Sequence, residues 1–131
     1  MLRKKSRSFV IIGKLNKKIL GQFYIKKFRV VITHERSQHI QNKHNLKLEN
    51  FKKIMKEVIE HPDYILEDNK HIDTIILLKD INDKKYRLVI KLNVSNEEAE
   101  NSIITFMKLN DRSYIQTIQN RGKILYGCRQ K

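Results

Sequence analysis

Acidic residues are scarce in this 131-residue chain: 14 Asp plus Glu stand against 28 Lys plus Arg, leaving a net charge of +14. A codon bias toward Lys, Ile and Asn would supply the lysines, but it would not hold the acids at half the basic count. Such an excess says little about fold and much about partners. Nucleic acid is the first expectation, an acidic immunity or antitoxin protein the second, and an anionic membrane surface the third. Cysteine is nearly absent too. Cys128 stands alone, which excludes a disulfide framework and a cysteine metal site. One Pro and four Gly leave no stretch resembling an interdomain linker, and the glycines form no phosphate-binding loop pattern.

Long apolar runs are missing as well. After the basic cluster Arg3 to Arg7 the run Phe9 to Ile12 ends at Gly13 and Lys14, shorter than a signal-peptide core of about 7–15 residues. No stretch approaches the roughly 18 apolar residues of a membrane span. The expectation is a chain made in the cytoplasm without a membrane partner, with delivery by a phage or secretion route left open. The 40% apolar content nevertheless suffices for a packed core.

What is present reads as α+β. Phe9 to Ile12 and Phe28 to Thr33 are β-type runs. Thr33 is a plausible N-cap for a helix from His34 to about Lys43 that holds one apolar residue, Ile40. From Leu48 to Glu60 the residues Phe51, Ile54, Met55, Val58 and Ile59 recur at helical spacing, and His61-Pro62 ends the helix. Strand-like segments follow at Tyr64 to Leu66, Ile72 to Lys79, Tyr86 to Val94 and Ser102 to Leu109. A hairpin loop is expected at Asp80 to Lys84 and an acidic turn at Asn96 to Asn101. A further helix spans Asp111 to Arg121, and Lys123 to Tyr126 reads as an edge strand.

The helix from His34 lacks the apolar stripe of a packed helix. At about 100° per residue Glu35, Arg36 and His39 share one face. Such a face is either a solvated surface with weak intrahelical pairs or one wall of a cleft where His moves protons and Arg binds phosphate. His34, His39 and His44 are five apart and cannot converge on a metal from one helix, so no metal or other cofactor is expected. On the strand from Tyr86, the residues Tyr86, Leu88, Ile90 and Leu92 make one apolar face, while Arg87, Val89, Lys91 and Asn93 make the other. Two cations on one face suggest a basic floor for phosphates. Thr105 on the next strand, beside Ile103 and Met107, could offer a hydroxyl. His61 reads as a helix-end residue and His71 as a solvated turn residue. Tyr126 is an edge-strand aromatic, or a base-stacking residue if the tail folds over the sheet.

The order of Glu35-Arg36-x-x-His39-Ile40-x-x-x-His44, then His61-Pro62-Asp63-Tyr64-Ile65, Arg87-Leu-Val-Ile-Lys91, Ser102-Ile-Ile-Thr105 and Ile124-Leu-Tyr126 resembles the phage-associated Barnase–EndoU–Colicin–RelE-like nuclease domains, the PBECR group. The likeness spans about residues 8–127 of one domain, preceded by a basic segment, 1–7. It implies a two-layer BECR-like fold, with helices packed on one face of an antiparallel sheet and RNA on the other. It also implies a small metal-independent ribonuclease or toxin, with tRNA among its possible targets. Carried over by position, Arg36, His39, His44, Lys91 and Thr105 would be catalytic, and Glu35, Arg87 and Tyr126 would contact substrate. Family members often carry Pro directly after the second His, where this chain has Asn45. RNA cleavage without metal needs a base for the 2′-OH, an acid for the leaving 5′ oxygen and cations for the phosphate. It would leave a 2′,3′-cyclic phosphate and a 5′-hydroxyl. The alternative is a non-catalytic nucleic-acid-binding phage accessory protein, which accounts for the charge equally well.

Overall fold

The computed structural model describes residues 9–16, 27–44, 47–93, 100–120 and 122–127, with the side chain of His44 outside that set. The basic segment 1–7, the segment between Gly13 and Gly21 beyond residue 16, and most of the expected acidic turn lie outside the described residues.

Among the described residues, seven strands and three helices follow in the order β1 (Phe9–Lys14), β2 (Arg29–Thr33), α1 (His34–His44), α2 (Leu48–Glu60), β3 (Tyr64–Asp68), β4 (Thr74–Ile81), β5 (Lys84–Lys91), β6 (Asn101–Leu109), α3 (Asp111–Asn120) and β7 (Gly122–Gly127). The strands form one sheet in the order β1-β2-β6-β5-β4-β3-β7. Every pairing is antiparallel except β2 with β6, which is parallel. The sheet is therefore mixed rather than purely antiparallel. The β4–β5 hairpin turns on Asn82 and Asp83, both in the left-handed region at φ 52° and 70°. Asn and Asp tolerate this conformation better than other non-glycine residues.

Alternation along β4 sends Ile75 and Leu77 to one face and Ile76 and Leu78 to the other, and all four are fully buried. On the first face they join Tyr86, Leu88 and Ile90 of β5 and Phe51, Met55, Val58 and Ile59 of α2 in the main core. The ring of Phe106 stacks between Phe51 and Tyr86, with centroids 5.7 Å away on each side. On the second face Leu66, Ile76 and Leu78 pack with Tyr114 of α3. The helices thus lie on both faces, α1 and α2 on one and α3 on the other, and the expected arrangement with all helices on one face does not hold. The reason is that β3 and β4 are apolar on both sides, so each face needs a cover. α3 covers the second face over Leu66, Ile76 and Leu78, and Lys85 Nζ pairs with Asp111 at its start at 3.1 Å.

Two local devices hold the parts that matter below. Asn101, with no exposed surface, donates through Nδ2 to the carbonyls of Lys27 and Arg29, both at 2.8 Å, and its Oδ1 accepts the Asn93 N–H at 2.9 Å. One amide side chain thereby ties three segments at the parallel β2–β6 seam. Beside it, Arg29 Nε donates to Glu100 at 3.3 Å and Lys27 Nζ at 3.4 Å. Among the described side chains of α1 only Ser37 and Ile40 are buried, so its apolar anchorage is slight. Gln41 compensates, donating to Ser37 Oγ at 3.0 Å and accepting the Leu48 N–H at 3.1 Å, which links α1 to the uncapped start of α2.

A candidate active site on the open sheet face

Beyond the reach of α3, the second face of the sheet is a cleft of about 330 Å³ lined by Asp68, His71, Thr74, Arg87, Val89, Lys91, Ile104 and Thr105. The register explains its composition. Arg87, Val89 and Lys91 face it from β5, opposite Leu78, Ile76 and Thr74 of β4 and Met107, Thr105 and Ser102 of β6. Arg87 and Lys91 are four residues apart, about 13 Å along a strand, with Val89 and Thr105 paired between them.

Thr105 faces the cleft because of a bulge. Simple alternation would send it to the same side as Ile103, into the core. The β5–β6 register shifts between Val89 and Ile90, so Ile103 pairs with Ile90 on the core side while Thr105 pairs with Val89 on the cleft side. Ile104 is the extra residue, and it too lines the cleft.

The cleft is held by its own hydrogen bonds. Lys91 Nζ donates to the Ile72 carbonyl at 3.0 Å, and Arg87 Nη2 lies 2.9 Å from Met107 Sδ. Asp68, whose side chain is 2% exposed, accepts the Lys70 N–H at 2.9 Å, and its other oxygen lies 3.1 Å from His71 Nδ1. His71 and Asp68 are the residues that sequence reasoning passed over. His71 does sit in an exposed turn, but the turn folds back against Lys91. The one available signal was an Asp three residues before a His at the mouth of a hairpin, which is weak in isolation.

The other expected residues lie elsewhere. Thr33, Glu35, Arg36 and His39 line a second, smaller cleft of about 240 Å³ at the start of α1. Thr33 Oγ1 accepts the Arg36 N–H at 3.1 Å, as a helix cap should. Among the described residues the side chains of Glu35, Arg36 and His39 make no hydrogen bond or ion pair, so Glu35 does not orient His39 through one. The site residues therefore line two clefts and not one trough. The clefts share a seam: Thr33 ends β2, Ile104 and Thr105 belong to β6, and adjacent strands lie about 4.8 Å apart. His44 ends α1, and the expectation placed on its imidazole lies outside the described residues. Tyr126 is on β7, four strand spacings or about 19 Å across the sheet from β6, in a groove with Pro62, Tyr64 and Tyr114. Lys91 is on β5, three strand spacings or about 14 Å from β7, and the groove around Tyr126 shares no lining residue with the cleft around Lys91. Its strand is pinned by Gly127, at φ +143°, where a side chain would meet the Tyr64 ring.

Among the described residues no group of three or more His, Cys, Asp or Glu is arranged to hold a metal ion, and no helix is long and apolar enough to cross a membrane. A family model described as phage-Barnase-EndoU-ColicinE5/D-RelE like nuclease2 matches residues 12–127, and the chain belongs to that family. No curated protein and no solved structure matches the chain.

Proposed function

We propose that this member of a nuclease family is an endoribonuclease that cleaves RNA by transesterification without a metal ion. The observation that carries the proposal is the cleft on the open sheet face, which Arg87, Lys91 and Thr105 line together. In RNA cleavage the 2′ oxygen attacks phosphorus, the bond to the 5′ oxygen breaks, and the products carry a 2′,3′-cyclic phosphate and a 5′-hydroxyl. Charge builds on the phosphate oxygens during this step. Preorganised donors aimed at that charge are usually the largest source of rate. Lys91 and Arg87 supply it, with Thr105 orienting one oxygen. The α1 cleft, with half-buried Arg36 and exposed His39 across the β2–β6 seam, receives the neighbouring stretch of the strand. A net charge of +14 supports both a long RNA footprint and an acidic neutralising partner. A toxin of phage or mobile-element origin fits these properties.

The test is incubation of the purified protein with transfer RNA and a mixed-sequence oligoribonucleotide in excess EDTA. Cleavage leaving 2′,3′-cyclic phosphate ends, lost in Lys91→Ala with folding retained, is the expected result. Intact RNA after long incubation, together with steeply salt-dependent binding, would instead favour a non-catalytic nucleic-acid-binding accessory protein.

A further inference from the structure

His71 occupies the best-braced corner of the sheet cleft. Its Nδ1 lies 3.1 Å from a carboxylate that is itself 2% exposed and fixed by the Lys70 N–H. The imidazole is 68% exposed, so a ligand in the cleft can reach it. The loop that carries it is fastened on both sides. Thr74 Oγ1 and Lys91 Nζ both donate to the Ile72 carbonyl at 3.0 Å, and the Leu92 N–H donates to the Asp73 carbonyl at 2.7 Å. Asp73 takes the left-handed conformation, φ 54°, that lets the loop turn back over β5.

We infer that His71 is the base that takes the 2′-hydroxyl proton, and that Asp68 is its positioning residue. This rests on the ribonuclease reading and names a group that reading leaves open. A carboxylate can only accept, so a ring hydrogen sits on Nδ1, and the neutral imidazole then carries its lone pair on Nε2. Nε2 takes the proton as the 2′ oxygen bonds to phosphorus. The phosphorus–O5′ bond breaks, its electron pair stays on the 5′ oxygen, and that oxygen takes a proton from water in the open cleft. Lys91 and Arg87 of β5 line the same cleft and meet the phosphate charge. His39 has no such brace, since no neighbour among the described residues fixes its ring.

The competing account is that Asp68 and His71 merely staple the β3–β4 loop. His71→Asn separates the two, because Asn keeps a side-chain N–H for Asp68 and lacks the Nε2 lone pair. The expected result is a fall in kcat of about 100- to 1000-fold, the usual worth of a positioned base, with KM within about twofold and an unchanged melting temperature. Unchanged kcat overturns the assignment. Asp68→Asn is expected to lower kcat by at least about tenfold with KM held, which a staple alone would not do. A second measurement needs no turnover and no variant. Nitrogen-edited NMR of the parent protein, titrated with a 2′-deoxy oligonucleotide, is expected to show the Nδ1–H tautomer at His71 and a shift at Nε2. The absence of that shift overturns the assignment. A parent protein that leaves RNA uncut overturns the ribonuclease reading instead, while the titration still decides whether His71 faces a bound phosphodiester.

Discussion

The two clefts carry the same kinds of side chain and hold them differently. In the sheet cleft Lys91 is bonded to a carbonyl, His71 to a buried carboxylate, and Thr105 is set by a bulge in a central strand. In the α1 cleft Glu35, Arg36 and His39 stand on the outer face of a helix that buries two residues, and no neighbour among the described residues braces them. Catalytic charge stabilisation depends on donors already in place before the reaction begins, whereas capture of a polyanion needs only cations within reach. On the proposed ribonuclease reading, this contrast puts the chemistry at the sheet and strand capture at the helix.

Kinetics can break that contrast most directly. Lys91→Ala is expected to lower kcat/KM by about 100- to 1000-fold, comparable to losing one oxyanion-type donor, with the fall mainly in kcat. Arg36→Ala or His39→Ala with an equal kcat loss would move the chemistry to α1. The seam joining the clefts comes next. Asn101→Ala leaves two carbonyls and one N–H without their partner in a fully buried position, and it is expected to cost about 2–4 kcal/mol of stability in urea titration. If both clefts need the seam, RNA binding and cleavage fall together as this variant loosens. Arg36→Ala itself is expected to raise KM by about tenfold, or about 1.4 kcal/mol, at nearly constant kcat. It should also flatten the dependence of log binding constant on log salt by about 0.7, the value for one phosphate contact on a single strand.

Acid sharpens the picture of the seam by a smaller amount. The Arg29 guanidinium first, and Lys27 as well, hold the Glu100 carboxyl below its usual value near 4.5, against an opposing push from burial. A depressed carboxyl stabilises the fold fully above its unfolded pKa and loses that contribution as pH falls through its folded value. Unfolding midpoints are therefore expected to drop below about pH 4.5 more in the parent than in Glu100→Gln.

Much of this was legible in the residue order. The spacing of Phe51, Met55, Val58 and Ile59 marks α2 from Leu48 to Glu60 at both ends, because one strongly periodic face and a proline stop leave little freedom. Alternation along β5 correctly separates Tyr86, Leu88 and Ile90 from Arg87, Val89 and Lys91. Asn101 was harder to see, since a lone Asn before a strand looks like any turn residue until three segments meet on it. His71 was read as a solvated turn residue and is 68% exposed; what the residue order did not show is that its ring meets the buried Asp68 carboxylate in the cleft that Lys91, twenty residues further on, also lines.

Local pattern by itself determined the elements, the two-faced character of the β5 strand, the cationic surplus and the family likeness, because each depends on neighbours a few residues apart or on a simple count. Only the folded chain decided that helices would cover both faces, that β2 would run parallel to β6, and that Ile104 would be squeezed out of register so that Thr105 turns toward Lys91. Those outcomes depend on contacts between distant segments and on a one-residue shift that reverses a side chain's direction, and no periodicity in the chain records such a shift.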